Sequence, residues 1–399
     1  MTAIPSSSEL KARSLARNWP ELHRRVIRGQ ANGQVLWQPR ILAWRDHRRF
    51  YGVPLPEPYE HLSVADMYRY LDCSNRLYEF NECFRLVEHP AVRRETKEIG
   101  HHRILTVIRT PVGEQTTIEE RRPNLSGAIP VKREIVTKDD LRVATWRAEN
   151  AHYEYDQEVF DRLMQEVGDL GLPTMYIPRV NVQDLYINTM GVENAIYALH
   201  DWGPETFRPY FQALDNLHDQ LIDLLNSLPQ FEFINFGDNL HGATLSPALF
   251  EEYVLPTYQH RCERLHRAGK FVHAHWDGEV RQLLPFARET GLDGIEAITP
   301  QPQGDVTLEE VKEALGDELF LIDGIPAVYF DETYSPEVLA ECVHELIRLF
   351  APRLILGISD EMSYTGDIER IRLVGPIVDE YNASLAKPQG VGLASERPT

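Results

Sequence analysis

The chain has 399 residues, 43% hydrophobic and 26% charged, with a net charge of −20. That length suffices for a large core, and so acidic a surface argues against nucleic acid as a general partner. No run of about 18 apolar residues occurs, so no membrane-spanning helix is expected. The N-terminal MTAIPSSSELKARS lacks an apolar h-region, so no secretory signal is expected either. Cys73, Cys83, Cys262 and Cys342 are scattered without a C-x-x-C pair. This pattern suggests neither a disulfide framework nor a thiolate zinc knuckle, and it suits a reducing cytoplasm.

Residues 1–30 are expected as an N-terminal helical segment. Lys11, Arg13, Arg17, Arg24, Arg25 and Arg28 fall here and read as a solvated helical face. Residues 62–82 read as helix, with Val64, Met67, Tyr68 and Leu71 at helical spacing. The run ILTVIRT from Ile104, the turn Pro111-Val112-Gly113-Glu114 and the run QTTIEER read as a hairpin. From about residue 173 short apolar runs recur, at Thr174–Ile177, Phe233–Phe236, Phe271–Ala274, Gly294–Ile298, Leu319–Ile322 and Leu354–Ile358. Four or five continuous apolar residues suit a parallel strand buried on both faces. Helical stretches separate most of them. One opens at Ser246-Pro247 and stops at Gly269. Another has the capping-box pair Thr307 and Glu310 and ends at Gly316, and a third runs from Ser335-Pro336 to about Phe350. Residues 386–399 are expected as a flexible tail.

Strand-helix alternation predicts an α/β fold with a parallel sheet. No G-x-G-x-x-G follows a strand, which disfavours a dinucleotide-binding doubly wound sheet. The preferred architecture is a (β/α)8 TIM barrel over residues 31–385, with an N-terminal helical and β-hairpin extension. Such a barrel keeps its chemistry at the C-terminal strand ends. There the sequence places Asp238, Asn239 and His241; then His273, His275 and Asp277; then Glu296, Asp323 and the run Ser359-Asp360-Glu361.

His273 and His275 share one face of a strand, being two apart. Two imidazoles there can hold one divalent ion, zinc being the ordinary choice. Glu296 is the candidate third ligand, since a buried carboxylate needs a cation; an Arg or Lys would serve it equally. Asp360 or Glu361 is a candidate fourth ligand or outer partner of a histidine. Asp238, directly after its strand, is a candidate acid or base, or alternatively a turn residue. His241 reads as a loop histidine, and Trp37, Trp44, Tyr329 and Tyr364 as core or pocket-lining aromatics.

Four stretches also carry a resemblance: VLWQPRILAWRDHRRFYGVP from Val35, TPVGEQTTIEE from Thr110, GDNLHGATLSPALFEEYVLP from Gly237, and GLDGIEAITPQPQGDVTLEEVKEALG from Gly291. Over about residues 30–385 the chain resembles the uroporphyrinogen decarboxylase superfamily, with LSPALFEEYVLP the most specific part. The resemblance implies a (β/α)8 barrel. It is closest to the methyltransferase branch, because Trp37-Gln38-Pro39-Arg40 stands where the decarboxylases carry R-Q-A-G-R. The H-x-C zinc motif of the methyltransferases falls on His273 and His275, and their later cysteine falls near Ser359, beside Asp360. Histidine in place of cysteine implies a more Lewis-acidic metal, suited to polarising oxygen rather than activating a thiol.

The expectation is therefore a metal-dependent methyltransferase. It would move a methyl group from a small methoxy or methylated substrate to a corrinoid on a partner protein, or to a similar acceptor. Its metal ligands would be His273, His275 and Glu296, and its catalytic groups Asp238 and Asp360. A decarboxylase for an aromatic or porphyrin-like acid, with Asp238 stabilising a protonated intermediate, is the alternative. A non-catalytic binding protein on the same scaffold is the third reading. The assembly is open, a homodimer being one option.

Overall fold

The computed structural model describes residues 5–385 except 124 and 126. The expected tail, 386–399, lies outside the described residues. The centre is a curled sheet of seven parallel strands: β1 (Leu36–Trp37), β8 (Thr174–Ile177), β9 (Phe233–Phe236), β10 (Phe271–His275), β11 (Gly294–Glu296), β12 (Phe320–Pro326) and β13 (Leu354–Ser359). Their spatial order is β1-β13-β12-β11-β10-β9-β8. All six apolar runs form strands. The helices Pro204–Asn226, Leu308–Leu315 and Pro336–Phe350 cross between them. Thr307 and Glu310 form the expected reciprocal cap, and Ser246 accepts from the Leu249 N–H.

Eight strands are expected and seven are found in this sheet. At the gap between β1 and β8 the chain is irregular. Ser74 N–H donates to Trp37 O, and Thr174 N–H donates to Leu77 O. The Gln38 side chain donates to Ser74 Oγ and Asn75 O. Residues 74–77 thus bond to both edge strands without forming a regular strand. The helix expected over 62–82 ends for this reason at Leu71, where Asp72 turns left-handed at φ 55°. The next helical turn begins only at Tyr78.

A second sheet is antiparallel: β3 (Arg93–Glu98), β4 (Arg103–Thr110), β5 (Gly113–Arg121) and β6 (Ala128–Lys132). It contains the expected hairpin, β4 with β5, in the register Arg103↔Glu120 to Thr110↔Gly113. Strands β2 (Phe84–Val87) and β7 (His152–Tyr155) form a separate antiparallel pair.

The inner face of the parallel sheet is layered. Residues two apart on a strand share a face. Phe233, Phe271, Phe320, Ile322 and Ile355 form an apolar floor near the N-terminal strand ends. Helix α2 (Trp19–Ile27) covers that floor with Trp19, Val26 and Ile27. Helix α1 (Ser7–Arg17) precedes it, capped by Ser6 and Glu9. The basic residues of this segment are not simply a solvated face. Arg17 bonds to Asp72 and Asp379, and Arg24 and Arg28 both bond to Glu232. No helix among the described residues is long and apolar enough to cross a membrane.

One buried ion cluster ties the outer helices together. Arg69 reaches Asp169 through Nε at 2.9 Å and Asp66 through NH1 at 2.9 Å. Burial pushes both carboxyls up, but the Arg69 hydrogen bonds outweigh it and hold them below their ordinary value. A depressed carboxyl adds stability above its unfolded pKa and loses it as pH falls through the folded value. We therefore expect Arg69→Met to destabilise the protein by about 3–5 kcal/mol near neutral pH. The gap to wild type should narrow in acid, below the ordinary carboxylate range, because the two carboxyls are then neutral in both states. Urea unfolding at a neutral and an acidic pH measures this; a gap that widens in acid contradicts it.

Candidate active site

Above the apolar floor the inner face turns polar. Arg76, from the irregular segment, lies in the middle of it. Its Nε donates to Gln38 Oε1 at 3.1 Å, NH1 to Glu296 Oε2 at 2.8 Å, and NH2 to Asp323 Oδ1 at 2.8 Å. Asp323 takes a positive φ of 80° to present its carboxylate, rare for a residue with a Cβ. It fits because Gly357, next to its registered β13 partner Leu356, has no side chain: a Cβ on Gly357 would overlap Asp323 Oδ1.

The parallel register sets His275 opposite Glu296. Glu296 joins both histidines: His273 Nε2 lies 3.1 Å from Oε2, and His275 Nδ1 lies 2.8 Å from Oε1. Tyr78 OH donates to the same carboxylate at 3.1 Å, accepts from Asn235 Nδ2 at 2.7 Å, and stacks on Tyr176 at 4.0 Å. Burial pushes the Glu296 carboxyl up, but Arg76 and the two imidazoles hold it well below the usual carboxylate range. A carboxylate only accepts, so His273 Nε2 and His275 Nδ1 carry the protons. Burial keeps His273 neutral by lowering its pKa. Burial also opposes charge on His275, yet its bond to Glu296 outweighs this and raises its pKa.

His275 Nε2 is thereby left for the mouth, 3.7 Å from Asp360 Oδ1. Asp360 is paired with Arg40, which also holds Glu361 at 2.8 Å. Burial raises the Asp360 carboxyl. These groups open into a cleft of about 710 Å³. Arg40, Tyr176, Arg179, Asn239, His275 and Asp360 are on its wall.

Of the expected metal ligands, His273, His275 and Glu296 do meet, but only His275 lines the cleft. The carboxylate oxygens of Glu296 already face a guanidinium, a phenol and two imidazoles, and its side chain is fully buried. A divalent ion placed there would sit against the Arg76 cation, so this trio does not fit a metal as an open three-ligand set. A different trio lies at the mouth, although Asp360 there also pairs with Arg40. One ligand atom each from His275, Asp277 and Asp360 lie within 4.8 Å of one another, with both aspartates part-exposed. The other such group among the described residues, Glu57, Glu60 and His61, is fully exposed and far along the chain.

Asp238 is held elsewhere. Its Oδ1 accepts from Val180 N–H at 2.9 Å and its Oδ2 from Tyr258 OH at 2.8 Å, and it is fully buried. It joins the β8 and β9 loops and has no face on the cleft. Asp360, by contrast, is on the cleft wall. His241 packs against Gly278 and accepts from Ala243 N–H. Trp37 and Trp44 are core residues, and Tyr329 and Tyr364 pack on Tyr334 and Tyr51. Arg76, Tyr78, Arg40 and Arg179 are absent from the sequence-based candidates. For Arg76 a signal existed, since a carboxylate inside the apolar strand GIEAIT demands a buried cation.

No family model and no curated protein sequence matches the chain. Among solved structures, a methyltransferase from Methanosarcina mazei superposes with a TM-score of 0.51 at 14% identity, over 93% of this chain and 98% of its own. Identity that low shows the fold alone. A vitamin-B12-independent methionine synthase candidate from Listeria monocytogenes has a TM-score of 0.40 at 11% identity, covering 87% of this chain and 96% of its own. The GH18 chitinase ChiB from Flavobacterium johnsoniae has a TM-score of 0.34 at 11% identity, over 58% and 83%. These two are too remote to bear on the argument.

Removing one member of a buried ion network strands the others without compensation. Arg76→Met is expected to cost about 3–5 kcal/mol in urea unfolding, because it leaves Glu296 and Asp323 unpaired. The triple variant Arg76→Met, Glu296→Gln, Asp323→Asn should recover most of that loss. A single variant as stable as wild type would contradict the network's role.

Proposed function

We propose that the chain is a methyltransferase-like enzyme acting on a small molecule at the C-terminal mouth of a (β/α)8-type barrel, with residues 74–77 in the eighth strand position. One observation carries this reading. His275 is fixed from behind by Glu296 and presents Nε2, beside Asp360, to a cleft large enough for a small substrate. The fold likeness to a methyltransferase along nearly the whole of both chains supports the branch.

We further propose that a divalent ion, zinc first, is held by His275, Asp277 and Asp360. Glu296 would then be the outer partner that orients the imidazole, an arrangement common at metal-bound histidines. When bound, such an ion supplies Lewis acidity toward the oxygen of a methoxy or similar substrate. The chain's own part is positional. Arg76 and Tyr78 hold Glu296, Glu296 sets the His275 ring, and Arg40 sets Asp360. The methyl acceptor in this reading is a corrinoid on a partner protein, or a similar carrier, meeting the substrate at the open mouth. The decarboxylase alternative drew on Asp238; with both its oxygens occupied away from the cleft, the geometry lends it no support.

Elemental analysis of the purified protein tests the ligand set. About one equivalent of a divalent metal is expected in wild type and in His273→Ala, with most of it lost in His275→Ala and in Asp277→Asn/Asp360→Asn. Loss in His273→Ala with retention in the double aspartate variant would return the site to the strand histidines. Metal-free wild-type protein would remove the metal from the reading altogether. Methyl transfer from a methoxylated aromatic to reduced cobalamin, followed by its absorbance change, should fall by at least about 100-fold in His275→Ala.

A further inference from the structure

We infer that Arg179 anchors a negatively charged group of the substrate, so that the cleft takes a small organic anion, a carboxylate or a phosphate ester. This deepens the reading of the same cleft given above and rests on that cleft being the site.

Arg179 follows β8 after Pro178, and it is part-buried on the cleft wall. Two neighbours from the loop after β9 hold one end of its guanidinium: NH1 donates to Gly237 O, and to Asn239 Oδ1 at 2.9 Å. Gly237 is itself packed in place, since a Cβ there would come within 2.7 Å of the Tyr176 ring. The anchor points are therefore set by backbone and by a tight aromatic contact. A guanidinium has five N–H donors in a rigid fork. NH1 uses its two on these neutral acceptors. Nε and NH2 have no hydrogen-bond partner among the described residues, and these two atoms form the edge that grips a carboxylate or phosphate bidentately.

The charge balance points the same way. Two other arginines of this end are matched by close carboxylates. Arg76 has Glu296 and Asp323, and Arg40 has Asp360 and Glu361. Arg179 has no carboxylate within ion-pair distance, although the chain as a whole carries 61 acidic residues against 41 basic ones. The nearby acids are hydrogen-bonded elsewhere: Asp360 to Arg40, Asp184 to Asn188 and Tyr210, and Asp238 to Tyr258 and Val180 N–H. Burial raises the Asp184 and Asp238 carboxyls and the Arg179 charge acts to lower them, but Arg179 pairs with neither. A part-buried cation with a free fork, in a strongly acidic protein, is completed by an anion from outside. Phe84, Met175, Ile177 and Leu221 line the same cleft and offer apolar contact for the anion's carbon body. Its far end would then lie toward His275.

The test is calorimetric binding to the purified full-length chain, using benzoate with its neutral analogue benzamide, and phenyl phosphate with phenol. One of the two anions should bind more tightly than its neutral partner, and which one does so identifies the group. Arg179→Gln should weaken that anion by about tenfold or more and leave the neutral analogue unchanged. Arg179→Lys keeps the charge but loses the fork, so it should restore only part of the affinity; it also serves if the glutamine variant does not fold. The inference is overturned if neither anion binds, if anion and neutral analogue bind alike, or if both variants bind the anion as wild type does. Because binding is read without acceptor or turnover, failure of the methyl-transfer reading leaves this result standing.

Discussion

A guanidinium with almost no access to water, held between two equally buried carboxylates, is the constraint on which the rest of this site depends. Desolvating Arg76, Glu296 and Asp323 together costs several kcal/mol for each ion, and only close, well-directed bonds offset it. Those bonds come from four places: the irregular segment 74–77, β11, β12 and, through Gln38, the end of β1. The network therefore also holds together the part of the sheet where regular strand pairing stops. It fixes Glu296 in one position, and Glu296 in turn sets both imidazoles. The orientation of His275 at the mouth is a third-hand consequence of Arg76.

Much of this fold is legible in the sequence, and the illegible part has one cause. The strands of β8 to β13 stand out because parallel strands covered on both faces need continuous apolar runs. The caps at Thr307 and Ser246 stand out because the chemistry of capping is local. Residues 73–77 carry no such signature. The stretch DCSNR, residues 72–76, is polar, and it follows a true amphipathic helix without a proline or glycine to mark the end, so helical spacing runs on past Leu71. The stop is made by Asp72 turning left-handed and by hydrogen bonds to two distant edges, neither of which is local. Arg76 was hidden inside that misread stretch, although Glu296 implied that some cation had to be near.

The candidate residues separate on the same ground. His273, His275 and Glu296 share a site because strand periodicity and parallel register are simple rules, and the sequence expresses both. Whether such a cluster faces water depends on its depth in the sheet. His273 lies one layer below His275, stacked on Phe233 at 4.2 Å, and has no opening to the cleft. Asp238 illustrates the same limit. Its position after a strand is as favourable as that of Asp360, but the Tyr258 hydroxyl and the Val180 N–H draw its carboxylate outward between two loops. A partner 20 residues away and another 58 residues before it cannot be inferred from spacing.

Arg76, Arg40 and Arg179 form a graded series from floor to mouth. Arg76, deepest, faces two fully buried carboxylates. Arg40, higher, faces two acids that are themselves partly in solvent. Arg179, on the wall, faces only a carbonyl and an amide. For these three, compensation falls as access to water rises, because a deep charge cannot rely on solvent and a shallow one can. An acidic protein repels anions over most of its surface, so anion capture at this cleft, as inferred above, would rest on the free donors of Arg179. The two levels thus differ in kind: the lower network holds the His275 imidazole in place through Glu296, whereas Arg179 on the wall keeps Nε and NH2 without partners among the described residues.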